Sequence, residues 1–181
     1  MQRRIRTFVP LALVCAIGMP ALAQKITPIG QGGGGSPHVK SEWTADGAAI
    51  TIEYGRPYLK GRPESQMMPA GQPWRTGADE ASIIKSDKPL TFGTVKLAAN
   101  TPYTLNTIPG DKGWTLLIGK LSKPGQWGIP YQPDLELGRV PMKVIKAAAP
   151  VEQVTISIDK SGPALRVDWG TISAAAPFKV G

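Results

Sequence analysis

Alternation of apolar and polar residues with a period of two, broken at short intervals by proline and glycine, constrains the fold of this chain more than any other feature. Between Ile50 and Tyr54 every second side chain is apolar, as in a strand with one buried face. The chain carries 21 glycines and 18 prolines, and pairs such as Pro109-Gly110 separate the apolar runs. This pattern predicts an all-β fold, namely a single antiparallel β-sandwich or jelly-roll-like domain.

The expected strands are distributed over most of the chain. Residues 114–118 are apolar on both faces, which predicts an interior strand. Residues 90–97 are expected to form a strand or a hairpin around Gly93, and residues 147–150 a helical turn that Pro150 ends. The remaining expected strands cover residues 50–54, 82–85, 103–108, 142–145, 154–158, 165–169 and 178–180.

Residues 1–23 have the layout of a cleavable signal peptide. Three arginines occur within the first six residues, residues 8–17 are an apolar core, and small side chains at Ala21 and Ala23 precede a cleavage point near Ala23. The core is too short to span a bilayer. A buried N-terminal helix is the alternative, and a lipid anchor at Cys15 is disfavoured because that residue lies inside the apolar core. We therefore expect an exported protein, periplasmic or secreted, without a membrane span in its mature form.

Cleavage near Ala23 would leave 158 residues, the size of one domain. Residues 24–37 include four consecutive glycines and are expected to form a flexible tail, followed by a single β-rich domain at residues 38–181. The one cysteine would leave with the signal, so the mature domain is expected to be free of disulfides. Three arginines and no acids would also leave, which takes the formal net charge from +8 to +5. The remaining basic residues form no cluster typical of nucleic-acid binding.

Few of the usual catalytic residue types remain after residue 23. The single histidine is His38 and no cysteine is left, which excludes a zinc site made of cysteine and histidine, and we expect neither a metal nor a cofactor. His38 lies beside the expected tail, where we expect it to be exposed and poorly placed for a Ser-His-Asp triad. The glycine run lacks the lysine and helix that follow a phosphate-binding loop.

The region from residue 54 to residue 80 holds the densest group of polar and aromatic side chains. Arginine grips carboxylates and phosphates through a planar fork, and aromatic rings stack on sugars or cations. Arg56 continues the parity of the strand before it and is expected on the inward face, whereas Lys60 and Arg62 would share a face. The candidate ligand-binding residues are Tyr54, Arg56, Lys60, Arg62, Trp74, Arg75, Asp79 and Glu80.

Three interpretations of this cluster stay open. It could form a pocket for a small anionic or sugar-like ligand. Alternatively, Arg56 or Arg75 could pair with Asp79 or Glu80 and brace a long loop, in a protein with a structural or assembly role and no ligand. A carboxylate-dependent hydrolase or lyase could use one of these acids as acid or base. Because neighbouring residues of a strand point to opposite faces, at most one of the two acids is expected to face a given site.

A second aromatic segment lies at residues 125–134 and supplies secondary candidates. Trp127 and Tyr131 could stack on a ligand, although such residues more often anchor a long loop to its own domain. Asp134 and Arg139 could form a salt bridge in the same region.

Three sets of motifs follow one another along the chain. They are Tyr54-Gly55-Arg56-Pro57 with Lys60-Gly61-Arg62, then Trp74-Arg75-Thr76-Gly77-Ala78 with Glu80, and then Tyr103-Thr104-Leu105 with Ile108-Pro109-Gly110. In this order they resemble a family of exported bacterial proteins, domain of unknown function 2911, over residues 36–180. Asp79 stands where the family pattern has asparagine, and residues 135–138 also depart from that pattern. The resemblance implies an exported β-sandwich-like domain and implies no activity; the function we expect is a module of the cell envelope that binds a small ligand or a protein partner.

Overall fold

The computed structural model describes residues 24–122, 131–159 and 162–181, so the expected signal peptide and Trp127 lie outside the described residues. In these ranges the chain forms eleven strands, one short helix and one 3₁₀ turn. The strands are β1 (Lys25–Gln31), β2 (Pro37–Ala45), β3 (Ala48–Gly55), β4 (Ser82–Ser86), β5 (Leu90–Phe92), β6 (Val95–Leu97), β7 (Tyr103–Ile108), β8 (Trp114–Lys120), β9 (Glu136–Asp159), β10 (Ala164–Pro177) and β11 (Lys179–Val180); the helix is α1 (Glu64–Met67), and the 3₁₀ turn covers Pro133–Leu135.

Two antiparallel sheets make up the fold. The larger sheet has eight strands in the order β1-β2-β3-β4-β7-β8-β9-β10 and is curled, and the smaller has the order β11-β5-β6. Side chains of both sheets belong to one hydrophobic core. Phe92 of β5 and Leu116 of β8, for example, are both fully buried in this core. The prediction of an all-β fold is confirmed.

The hairpin of β2 and β3 follows directly from the alternating pattern. Ile50, Ile52 and Tyr54 are all buried, as the period of two predicts. Asp46 and Gly47 form the two-residue turn and both have positive φ, 47° and 73°. Positive φ at both positions is the type I′ geometry, whose twist matches that of the paired strands.

Residues 24–37 do not form the flexible tail that the glycine run suggested. Most of this segment is strand β1, which pairs antiparallel with β2. The glycines make the turn between the two strands, in which the Gly32 N–H donates to the Ser36 carbonyl at 2.9 Å and Gly35 has a φ of 82°. The glycine turn, as we call residues 32–35, is therefore held at a fixed place in the fold.

The strands predicted in the middle of the chain are found within two residues of their expected bounds. β4, β7 and β8 correspond to the expected strands at residues 82–85, 103–108 and 114–118. β5 and β6 form a hairpin at Gly93, whose φ is 57°. β8 lies between β7 and β9, and five of its seven residues are buried. It is thus an interior strand, as its apolar run predicts.

The hairpin of β9 and β10 is interrupted by irregularities. Val151 of β9 pairs with Gly170 of β10, and Lys146 pairs with Ile172. Between these two pairs β9 has more residues than β10. The segment at residues 147–150, expected to be a helical turn, is this bulged part of β9. A bulge bends a strand and increases its local twist.

A short extended segment after β3 pairs with β9 near Gln153, where the pairing of β9 with β10 is also irregular. Tyr58 forms a bridge with Gln153, and the Leu59 N–H donates to the Glu152 carbonyl at 2.8 Å. This segment therefore connects the end of β3 to β9 by hydrogen bonds. It also contains Lys60 and Arg62 of the predicted site.

Helix is confined to short segments in the described part of the chain. α1 covers four residues and the 3₁₀ turn three. None of the helices found in the described ranges has the length and apolar character needed to cross a membrane.

Candidate functional site

The segment at residues 74–80 lies against the ends of β3 and β7 and is irregular rather than extended. Trp74 exchanges two backbone hydrogen bonds with Thr107, at 2.7 and 2.8 Å. Thr76 and Asp79 have positive φ, 55° and 63°. A non-glycine residue rarely adopts this conformation, and where it does the surrounding structure holds it in place.

Gly55 and Gly77 let this segment approach β3 closely. A Cβ at Gly77 would lie 2.8 Å from the Gly55 carbonyl oxygen, and one at Gly55 would lie 2.3 Å from that of Ala78. The Ala78 N–H donates to the Gly55 carbonyl at 3.2 Å. This close contact between two backbones fixes where the acidic residues that follow are placed.

Asp79 and Glu80 both contact the imidazole ring of His38. Nε2 of His38 lies 3.1 Å from Oδ2 of Asp79, and Nδ1 lies 2.6 Å from Oε2 of Glu80. His38 is 7% exposed, so the expectation of a solvent-exposed histidine is wrong. The two acids do not alternate as residues of a strand would, because the left-handed conformation of Asp79 brings both side chains to one ring.

The protonation of this histidine–carboxylate cluster, His38 with Asp79 and Glu80, is constrained by its burial. A neutral imidazole has one N–H and can donate to only one of the two carboxylates. Burial raises the pKa of Glu80 above its ordinary value, and this outweighs the opposing effect of His38. Oε2 of Glu80 is buried and has no well-directed hydrogen bond to any described residue. The cluster therefore retains a proton to higher pH than exposed carboxylates would.

The glycine turn covers the Asp79 carboxylate. A Cβ at Gly32 would lie 1.7 Å from Oδ2 of Asp79 and 2.9 Å from Nε2 of His38. No side chain fits in that space unless the carboxylate moves. Gly32 is thus required by the packing of the histidine–carboxylate cluster, and the glycine turn lies at the edge of a cleft.

The cleft beside the cluster has a volume of about 440 Å³. That lies within the range of small-molecule sites. It combines cationic, acidic and aromatic side chains with backbone of the glycine turn. Its lining residues are Gly34, Gly35, Ser36, Pro57, Tyr58, Lys60, Arg62, Met67, Trp74, Gly77, Ala78, Asp79 and Trp169.

Two cations line the cleft without forming an ion pair with any described carboxylate. Arg62 donates from Nε to the Leu59 carbonyl at 3.0 Å and from Nη2 to the Tyr58 carbonyl. Lys60 is exposed, and its backbone N–H donates to Glu152 at 2.7 Å. These contacts shape the loop but do not neutralise the two positive charges.

Three aromatic side chains complete the cleft. Trp74 stacks on Trp169 with 5.5 Å between ring centroids and 13° between ring planes, and its other edge meets Trp114 at 6.2 Å. The Trp169 Nε1–H donates to the Glu152 carbonyl at 3.2 Å. Tyr58 is 38% exposed. Trp169 is only 1% exposed and supports Trp74 from beneath, so the open aromatic surface of the cleft comes from Trp74 and Tyr58.

The structure brings together only some of the predicted site residues. Lys60, Arg62, Trp74 and Asp79 line the cleft, whereas Glu80 does not and lies across the imidazole ring of His38 from Asp79. The sequence did not identify Tyr58, Trp169 or His38 as site residues. Two of them carried a signal in the sequence: His38 is the one histidine after residue 23, and Tyr58 directly follows the Tyr54-Gly55-Arg56-Pro57 motif.

Tyr54, Arg56 and Arg75 serve the fold instead of lining the cleft. Tyr54 is 2% exposed, and its hydroxyl accepts from the Ile156 N–H at 3.0 Å. Arg56 donates to the Val154 carbonyl and to Thr155 Oγ1, both at 2.9 Å. Arg75 donates to the backbone carbonyl of Asp79. The expected bracing by arginine is found, but through carbonyl and hydroxyl oxygens instead of the carboxylates of Asp79 or Glu80.

The secondary candidates form a separate cluster. Arg139 pairs with Glu136, with 2.8 Å between Nε and Oε1, so the expected partner Asp134 is wrong. Tyr131 donates to Glu136. These hydrogen bonds, with that of Arg139 the largest cause, hold the pKa of Glu136 below its ordinary value, and the bond to Glu136 raises that of Tyr131. Trp127 lies outside the described residues.

A small cavity beside this second cluster has about 20 Å³, enough for one water molecule. The buried Asn106 lines it, and its Oδ1 has no hydrogen bond to the described residues. Within the described ranges, no group of three or more histidine, cysteine, aspartate or glutamate side chains is arranged to hold a metal ion.

Comparison with known proteins gives one match. No curated protein and no solved structure matches the chain. A family model described as protein of unknown function (DUF2911) matches residues 36–178, which include the motifs at residues 54–62 and 74–80 and the whole histidine–carboxylate cluster. Since the match covers most of the chain, this protein belongs to the DUF2911 family.

Proposed function

We propose that this protein is an exported binding module whose cleft takes a small anionic or sugar-like ligand. The observation that carries the proposal is the pair Lys60 and Arg62, which line the cleft and whose side-chain charges form no ion pair with a described carboxylate. Two uncompensated cations at a concave site favour an anion. Export is proposed from the sequence pattern of residues 1–23.

The aromatic lining supports a ligand with a ring or an apolar face. Trp74 and Trp169 are held by stacking on each other, and Tyr58 leaves part of its ring exposed. Rings that are already ordered lose little conformational freedom when a ligand packs against them. A sugar-like body with an acidic substituent would use both the rings and the cations.

The cleft supports binding more strongly than carboxylate-dependent hydrolysis. Glycosidases of the usual kind need two carboxyl groups that flank the reacting bond. Of the described residues that line the cleft, Asp79 alone carries a carboxyl group, and Glu80 lies behind the imidazole ring of His38. We therefore do not propose that reaction for this protein.

The test is a thermal-shift experiment on residues 24–181 with glucose 6-phosphate, gluconate and neutral glucose. A ligand at one hundred times its Kd stabilises a protein by about 2.7 kcal/mol. We expect the two anions to raise the Tm and glucose to have a smaller effect. Lys60→Gln keeps a polar side chain that is one atom shorter and removes the charge, so it should reduce the shift with either anion.

Lys96→Gln is the matched control. Lys96 is an exposed lysine of the small sheet and is not part of the cleft. The proposal fails if neither anion stabilises the wild-type protein, or if Lys96→Gln reduces the shift as much as Lys60→Gln does. The second outcome would indicate binding to the general positive charge of the protein.

A further inference from the structure

The cleft carries both signs of charge. Lys60 and Arg62 come from the segment after β3, whereas Asp79 comes from the segment at residues 74–80. A purely anionic ligand would meet the carboxylate of Asp79 as a repulsive group. A ligand with one group of each sign would be attracted by all three side chains.

The Asp79 carboxylate is held in place and keeps one oxygen available. Oδ2 is hydrogen-bonded to His38, and no described residue donates a hydrogen bond to Oδ1. The side chain is 20% exposed. The positive φ of Asp79 and the close approach of Gly32 leave the carboxylate little freedom to turn away. Such a fixed and partly desolvated acceptor favours a charged donor over a neutral one.

We propose that the cleft selects a dipolar ligand, namely an amino sugar that carries a phosphate or carboxylate group. This inference rests on the proposed function. The acidic group binds at Lys60 and Arg62, the sugar ring lies against the aromatic lining, and the ammonium group donates to Oδ1 of Asp79. The volume of about 440 Å³ is sufficient for a monosaccharide with such substituents.

Three related probes separate this inference from the proposed function. They are glucosamine 6-phosphate, N-acetylglucosamine 6-phosphate and glucose 6-phosphate, which differ at the amino position and share the phosphate. In titration calorimetry with the wild-type protein, we expect glucosamine 6-phosphate to bind about tenfold more tightly than either other probe. Tenfold in Kd corresponds to about 1.4 kcal/mol, a reasonable value for one partly buried charge pair.

Two variants identify the carboxylate responsible. Asp79→Asn and Glu80→Gln each remove one carboxylate from the same histidine, and the two side chains are similarly buried, at 20% and 18% exposed. Only Asp79 lines the cleft. Asp79→Asn should abolish the preference for the amine, and it should bind glucose 6-phosphate more tightly than the wild-type protein does because a repulsive carboxylate is removed. Glu80→Gln should keep the preference.

The outcomes are distinguishable. If all three phosphates bind equally well to the wild-type protein, the dipolar ligand is refuted and the proposed anion site stands. If none of them binds and gluconate also fails, the proposed function is refuted together with this inference. Equal loss of the preference in both variants would refute the direct contact with Asp79. Should Asp79→Asn not fold, the comparison of the three probes on the wild-type protein still decides the question.

Discussion

Gly55→Ala is the change that most directly tests how the site is built. A Cβ at residue 55 would lie 2.3 Å from the Ala78 carbonyl oxygen and 2.9 Å from Nε2 of His38. Gly55 does not have positive φ, so the expected cost is steric and not conformational. The Ala78 carbonyl cannot move away freely, because the adjacent N–H of Ala78 is bonded to the Gly55 carbonyl.

Added volume in a well-packed site typically costs about 1–3 kcal/mol. We expect a loss of about 2–3 kcal/mol in the free energy of unfolding for Gly55→Ala, since the nearest atom belongs to the backbone. At about 2–4 °C per kcal/mol for a domain of this size, the Tm should fall by roughly 4–12 °C. Urea unfolding followed by circular dichroism gives the free energy, and a temperature scan gives the Tm.

Gly30→Ala is the matched control. Gly30 also has no positive φ, and a Cβ there would meet nothing within 4 Å. Its free energy of unfolding should change by less than about 0.5 kcal/mol. If Gly55→Ala is as stable as Gly30→Ala, the close approach of residues 74–80 to β3 is not a constraint on the site.

Two further changes test the cluster and its bracing. Arg56→Ala leaves the Val154 carbonyl and the Thr155 hydroxyl without the donor that Arg56 supplies. Urea unfolding should show a loss of about 1–3 kcal/mol in the free energy of unfolding, with the response to glucose 6-phosphate unchanged. A lost response at unchanged stability would contradict the bracing role. Because the pKa of Glu80 is raised in the folded state, its contribution to stability is complete below its ordinary value of 4.5 and is lost as pH rises through the folded value. Glu80→Gln should remove this fall from the stability–pH curve, and an identical curve for the two proteins would refute the raised pKa.

The strands were predictable where local alternation reflects burial. Residues 103–108 were predicted as a strand and form β7, because the residue pattern typical of a strand lies within the segment itself. β1 was not predictable in the same way. This strand precedes four glycines, which suggested a flexible tail. It is ordered because it pairs with β2, and the composition of the segment does not reveal that contact.

The site was predictable in its region and only partly in its geometry. The cluster of cations and aromatic residues does surround a cleft, but strand alternation does not hold at residues 79 and 80. Arg56 stays on the side of Tyr54 and contacts β9, whereas Asp79 and Glu80 converge on one ring because Asp79 is left-handed. Sequence periodicity assumes regular backbone, and the residues that build this site lie where the backbone is irregular.

The cleft is assembled from distant parts of the chain, and this sets when it can appear during folding. Its lining runs from residue 34 to Trp169, and the side chain of Gln153 donates to the Arg56 carbonyl across 97 residues. Contacts between residues so far apart in the chain form slowly. In refolding experiments, ligand binding should therefore appear only when the fold is complete, so that a ligand would report the native state and not early collapse.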